Sequence, residues 1–258
     1  MVGTVTNFVK RMLGQSGESD RPAEHSMEAA QAPDYDSAAH ALMPVAANGD
    51  AHAQTLLGIL YKDGSGLEDD HRMALHWLRL AAEQGYGLAQ FHLGQMYYDG
   101  LAVQQSPELA AKYFLMAAYQ DNHEAQVRFA TMLFDGDGVH RNYQQSLVWF
   151  NKAAAAGHSE AFYMLAEFYI SGTCVSVDYH KAFDYYRKAA KMGHVEAQIS
   201  LGSLYYLGQG VTRNEREAER WWTNAAACGH KGALENLELL KRRDVLPEST
   251  KPATAPVM

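Results

Sequence analysis

Apolar and small side chains recur along this chain at one fixed interval. Alanine stands at Ala53, Ala89, Ala125, Ala161, Ala197 and Ala233, each 36 residues after the last, which is the signature of a repeat architecture. Four positions beyond each alanine comes a large apolar residue: Leu57, Leu93, Phe129, Leu165, Leu201 and Leu237. A small residue follows at Gly58, Gly94, Ala130, Ala166 and Gly202, and the column Tyr61, Tyr97, Leu133, Tyr169, Tyr205 completes an i, i+4, i+8 stripe. A helix of about 3.6 residues per turn buries such a stripe, so each repeat opens with a helix, here helix A. Glycines at Gly64, Gly100, Gly136, Gly172 and Gly208 are placed to end it in a left-handed C-cap.

A second helix follows. Asp70, Ser106, Asn142, Asp178 and Asn214 form a column of residue types whose side chains accept from the free N–H groups of a helix start. Behind them run Ala74, Ala110, Ser146, Ala182 and Ala218, then the aromatic column Trp77, Tyr113, Trp149, Tyr185 and Trp221, then Ala-Ala pairs such as Ala81-Ala82 and Ala189-Ala190. The small residues allow close approach and the aromatic column is expected to fill the gap between layers. Each repeat therefore reads as a helical hairpin ending at Gly85, Gly157, Gly193 or Gly229, with Asp121 the exception, and the chain as an all-α solenoid.

The order of Ala, Leu-Gly, Tyr, Gly-x-Gly-Val, a capped second helix with Ala and Trp or Tyr, then Ala-Ala and Gly is complete from Ala197 to Gly229. In this the chain resembles the Sel-1-like repeat family, relatives of the tetratricopeptide repeats, over about residues 34–243. The resemblance implies a right-handed superhelix that serves as an interaction scaffold, often in bacterial regulation, envelope biology or signalling. Some members with paired cysteines in every repeat are secreted and linked to β-lactam binding; this chain has only Cys174 and Cys228, in no such pairing. Ala102 and Cys174 replace the second loop glycine and Asp121 a terminal one, departures expected to loosen local turns.

The repeat divides the chain into an N-terminal segment 1–33, a solenoid 34–243 and a C-terminal tail 244–258. The solenoid comprises a half repeat 34–52, five full repeats over 53–232 and a half repeat 233–243. Pro44 is expected to kink or shorten the first half repeat's helix. Val5, Phe8, Val9, Met12 and Leu13 fall on one helical face, which is expected to be a frayed terminus or to dock on the solenoid, with docking on a partner or a membrane as the alternative. Residues 15–33 and the tail read as disordered.

Composition narrows the function. A net charge of −8 argues against nucleic acid as the main ligand, since phosphate binding needs a surplus of Lys and Arg. No apolar run reaches the roughly 18 residues of a membrane span, and no secretory signal is recognisable, so a cytoplasmic protein is expected. His158, His194 and His230 recur at the repeat interval, but successive hairpins lie at least about 8–10 Å apart and zinc bonds are about 2 Å long. Asp135-Gly136-Asp137-Gly138 has the start of a calcium loop, yet its twelfth position is Ser146 rather than Glu. No nucleophile motif, Walker loop or dinucleotide loop occurs. The reading assigns no catalytic residue, no metal and no cofactor.

With the first, fifth and eighth columns of helix A on the core, the third, seventh and tenth point away and are expected to line a concave groove. The candidates are Phe91, His92, Gln95, Tyr98, Arg128, Thr131, Phe134, Tyr163, Glu167, Ile170, Ser203 and Tyr206. Aromatic side chains would anchor a peptide or protein segment, while His92, Gln95, Arg128 and Glu167 would set its register. A small-molecule binder or hydrolase using the same groove, and a self-associating structural protein, are the alternatives.

Overall fold

The computed structural model describes residues 35–63 and 70–245. The predicted N-terminal helix, the linker, the turn at Gly64 and Gly66, and the tail beyond residue 245 lie outside the described residues. Those described form twelve α-helices: α1 Tyr35–Ala47, α2 Ala51–Asp63, α3 His71–Glu83, α4 Gly87–Asp99, α5 Pro107–Ala118, α6 His123–Asp135, α7 Tyr143–Ala155, α8 Ser159–Ser171, α9 Tyr179–Lys191, α10 Val195–Leu207, α11 Glu215–Ala227 and α12 Lys231–Val245. They fall into two compact units that divide between Arg141 and Asn142. Within each unit every helix packs on the next in sequence, and in the first α2 also touches α4. The chain is an all-α solenoid of hairpins.

Both predicted caps form. The side chains of Asp70, Ser106, Asn142, Asp178 and Asn214 accept from N–H groups in the first turn of α3, α5, α7, α9 and α11, at 3.0–3.2 Å. Helices α4, α6, α8 and α10 end on Gly100, Gly136, Gly172 and Gly208 in the left-handed region. The loops are closed by the N–H of Ser106, Asp178 and Asn214, each donating to the carbonyl of the tyrosine late in the preceding helix A, at 2.8–3.0 Å. Pro44 neither ends nor truncates α1, which runs on to Ala47 with the Asn48 N–H on the Pro44 carbonyl at 3.2 Å. The missing donor is offset by burial of Ala38, Ala39, Leu42 and Ala46 in the α1–α2 core.

The hairpins lock by setting a small residue against a large one, and the large one is not the residue expected. Trp77 and Trp149 are buried, but Tyr113, Tyr185 and Trp221 are only partly covered. The next column, Leu78, Phe114, Phe150, Tyr186 and Trp222, is the true filler, at 0–4% exposure. In the hairpins α2–α3, α4–α5 and α10–α11 its partner is the small residue after the helix A leucine. A methyl group on Gly58 would lie 2.6 Å from Leu78 Cγ, one on Gly94 2.8 Å from the Phe114 ring, and one on Gly202 2.6 Å from the Trp222 indole nitrogen. The Trp222 N–H, turned toward the same helix, donates to the Ile199 carbonyl at 3.1 Å.

A second device joins four of the five repeats to the one before, the fourth repeat carrying Phe162 at this register. Gln54, Gln90, Gln126 and Gln198 are buried, and their side-chain amides donate to the carbonyls of Ala46, Ala82, Ala118 and Ala190, eight residues back, at 3.0–3.4 Å. These carbonyls lie in the last turn of the preceding helix, where those of Ala46, Ala82 and Ala190 also accept the N–H of Gly49, Gly85 and Gly193 at 3.0–3.1 Å, so the side-chain amide adds a second bond. In the first unit a further glutamine completes the ladder: Gln84 donates to the Gln54 oxygen and Gln120 to the Gln90 oxygen, both at 2.8 Å. The same register beside Gln198 holds Cys228, and the Gln198 oxygen is buried without a partner.

The three glycine replacements do not loosen their turns. Ala102, Asp121 and Cys174 adopt φ of 57°, 57° and 53°, the conformation of the glycines they replace, at a cost of about 1–2 kcal/mol for a side chain with a Cβ. The Schellman bond survives, with the Asn122 N–H on the Ala117 carbonyl at 3.2 Å. Packing of the flanking helices imposes the turn. At Gly138 the demand is harsher, because an added Cβ would strike the Pro107 carbonyl.

Two stability predictions follow, both read from urea midpoints. Ala102→Gly raises stability by roughly 0.5–1 kcal/mol, whereas Gly138→Ala lowers it by about 2 kcal/mol or more; equal effects would refute the strain assignment. Cys228→Gln supplies the missing donor to Gln198 and raises stability by about 1 kcal/mol, so an unchanged or lower midpoint would count against the ladder.

Candidate interaction surface

In the first unit the outward side of the A helices is half-closed. Thr55, Phe91 and Val127, the third column, are buried at 0–6% exposure, which corrects the expectation that Phe91 lines an open groove. Its ring packs on Phe114 of the neighbouring helix at 5.8 Å, so the core claims it first. Accessible side chains remain in the seventh and tenth columns, and at Arg128 in the fourth. Tyr98 is 37% exposed, Arg128 is exposed and bridges Glu124 at 3.6 Å, and Thr131 and Phe134 are half-buried, the Thr131 hydroxyl donating to the Val127 carbonyl at 3.0 Å.

His92, Gln95 and Lys62 form a small network across α2 and α4. The Gln95 oxygen lies 3.1 Å from His92 Nδ1 and accepts from Lys62 Nζ at 3.3 Å. Lys62 also meets Asp63 at 3.0 Å. Burial is the main reason the His92 pKa is lowered to about 4; the Lys62 charge adds to it, while Gln95 and Asp63 oppose it. His92 is a neutral hydrogen-bonding group at pH 7.

In the second unit the corresponding side chains gather around tyrosine. Tyr186 of α9, buried, donates its hydroxyl to Glu167 of α8. The Tyr163 ring lies 5.9 Å from that of Tyr186 and stacks on His194 at 4.7 Å. His194 pairs with Glu160 at 2.7 Å, and His230 with Glu196 at 3.0 Å one repeat later. Burial first, then the charges of Glu167, Glu196 and Glu160, push the Tyr163 phenol up to about 12. Ser203 is tied to its own helix through the Ile199 carbonyl at 3.0 Å. Tyr206 packs on Trp222 at 5.6 Å under the Arg213 guanidinium at 5.4 Å, and Ile170 is half-buried against the α9–α10 core.

These surfaces offer aromatic edges, one neutral imidazole and single carboxylates rather than a nucleophile beside a base. Among the described residues no group of three His, Cys, Asp or Glu side chains is placed to hold a metal ion, and no helix is long and apolar enough to cross a membrane. An open depression of about 510 Å³ lies elsewhere in the first unit, beside Arg79, Tyr97, Ser106 and Leu109. Its Arg79 donates to the Tyr97 hydroxyl at 2.9 Å and its Ser106 hydroxyl to Glu108 at 3.0 Å, both structural roles.

The Sel1 repeat family model matches residues 51–86, 87–122, 123–158, 159–194 and 195–230. This chain is a Sel1-repeat protein. Among solved structures it is similar to a Sel1 repeat protein from Oxalobacter formigenes, at 32% identity and a TM-score of 0.74, covering 79% of this chain and 81% of that one. It is also similar to c5321, a protective antigen of uropathogenic Escherichia coli with this repeat fold, at 27% identity and a TM-score of 0.60; 94% of this chain is covered but 57% of that one. A Sel1 repeat protein of Klebsiella pneumoniae shares the fold at 20% identity and a TM-score of 0.50, over 79% of this chain and 99% of that one. No curated protein matches in sequence.

Sel1-repeat proteins generally mediate protein–protein interaction and are generally scaffolds rather than enzymes. In this Sel1 array the sequence reading missed the Glu160–His194 and Glu196–His230 pairs and the Tyr186–Glu167 bond. A Glu and a His 34 residues apart, three times in succession from Glu124 and His158 onward, was the available signal.

The His92 network yields a pH prediction. The unfolded chain takes up a proton near 6.5 and the fold not until about 4, so stability falls as pH drops from 6.5 to 4. The stability difference between the native chain and His92→Leu, measured by denaturation across this range, should shift against the native chain by about 2–3 kcal/mol. A pH-independent difference would contradict a buried neutral His92.

Proposed function

We propose that this Sel1-repeat protein is a cytoplasmic adaptor in bacterial regulation or signalling, holding a peptide or protein segment in a groove formed by its A helices. The observation that carries the reading is the contrast between columns of the same helix. The first, fifth and eighth columns are spent on the core, while the seventh and tenth keep Tyr98, Thr131, Phe134, Glu167, Ile170, Ser203 and Tyr206 at least partly accessible, and Arg128 of the fourth column is exposed beside them. Such side chains vary from repeat to repeat on a constant backbone, which suits recognition of an irregular partner. The bacterial relatives support the setting, and two exposed, unpaired cysteines suit a reducing compartment. Phe91 is left out of the contact set because it is buried.

The test is quantitative affinity capture with three chains: native, Tyr98→Ala with Arg128→Glu and Tyr206→Ala, and a helix B control, Lys112→Ala with Arg220→Ala. Partners retained by the native chain and the control but depleted at least about tenfold by the helix A variant support the proposal. Equal recovery by all three folded chains would refute it.

A further inference from the structure

The second unit contains a carboxylate that the fold does not require. At the register of Glu167 the other repeats carry Ile59, Gln95, Thr131 and Ser203, and at the register of Tyr186 they carry Leu78, Phe114, Phe150 and Trp222. The charge and the hydroxyl that points at it therefore occur together in one repeat and in no other. The hairpins α2–α3, α4–α5 and α10–α11 close without this pair, so the hydrogen bond is not part of the common packing.

The surroundings of Glu167 say what would complete it. Its half-buried carboxylate accepts from Tyr186 on one side, and Tyr163 stands beside it, within the field of Glu160 and Glu196 as well. Those two carboxylates already have imidazole partners. Glu167 has no cationic partner among the described residues. Elsewhere in the unit the chain supplies cations to its own aromatic rings: Lys152 to Trp149, Lys181 to Tyr169, Lys188 to Phe162 and Tyr185, Arg187 to Phe183, Arg213 to Tyr206 and Arg220 to Trp221, at 4.1–5.5 Å for all but the last, at 5.8 Å. No cation of the described residues lies over Tyr163 or Tyr186. A carboxylate held by a phenol, flanked by tyrosine rings and lacking a positive charge is complementary to a basic head group.

We propose that Glu167 and Tyr163, with the buried Tyr186 hydroxyl holding the carboxylate from beneath, form a notch for one basic side chain of the partner segment, with arginine preferred. The preference follows from its planar guanidinium, which bonds a carboxylate in two places, stacks on tyrosine and is less strongly hydrated than an ammonium. The site rests on the adaptor reading and adds the partner's chemistry: an extended segment with an arginine that seats in the second unit. A partially desolvated ion pair of this kind fixes register as well as affinity.

The experiment pans a random dodecapeptide phage library on the intact chain, then measures synthetic copies of the enriched peptides by calorimetry. Each peptide is made with arginine and with citrulline, the neutral isostere, and titrated into native chain and Glu167→Gln, which keeps an acceptor for Tyr186. Enriched peptides should carry a basic residue, and citrulline should weaken binding to the native chain at least about tenfold, or about 1.4 kcal/mol. On Glu167→Gln the two peptides should bind alike, a coupling that loss of folding cannot imitate. Enriched peptides without a basic residue, or with unchanged affinity for Glu167→Gln, overturn the notch. If such peptides are still weakened by Tyr98→Ala and Arg128→Glu, the adaptor reading stands without it. A library that yields no binding peptide overturns both.

Discussion

Within each unit the hairpins depend on two helices coming close enough for one large side chain to close over the other's backbone. An alanine methyl or a bare glycine at the crossing permits it; Leu78, Phe114 and Trp222 then lie directly on Gly58, Gly94 and Gly202. Interiors pack at nearly crystalline density, so a gap of even one methyl group is felt. The alanines at the other crossings, from Ala53 to Ala233, have no exposed surface at all. The helix caps and loop bonds set helix length so that these small residues meet the same partner in each repeat.

Once the contact between helices is fixed by small residues, the remaining positions are released from structural duty to different degrees. The buried glutamines occupy one intermediate level, taking the carbonyls that close the preceding helix. The seventh and tenth columns of helix A are freer still, and there the chain departs from its own repeat most: Lys62 and Gln95 in one unit, Glu167 and Tyr206 in the other. The proposed contact surface uses the positions where the repeat breaks its own pattern, on a backbone that does not.

Integer spacing made the hairpins, the caps and the turns legible, because Ala53 and its successors recur without an insertion. The filler column was misread one residue early: tryptophan at 77, 149 and 221 draws attention, but the helical phase of Leu78 and its equivalents decides which side chain faces glycine. The glutamines at 54, 90, 126 and 198 were visible at the repeat interval and passed over, since a polar residue reads as surface until the helix-end carbonyl eight residues back is found beside it. Phe91 could not be placed by period at all. Its burial depends on Phe114, a side chain of the next helix, so whether a third-column residue is open is settled by tertiary neighbours. Ala102, Asp121 and Cys174 teach the same lesson for the backbone, where packing holds a left-handed turn that the local residue disfavours.

The central claim is that a guest lies on the A helices while the B helices serve only to hold them. Hydroxyl-radical footprinting of the chain with and without a saturating bound peptide addresses it directly. The account predicts protection of Tyr98, Phe134, Tyr163 and Tyr206, with oxidation of Tyr113, Tyr185 and Trp221 unchanged. Protection confined to those three helix B residues would contradict it.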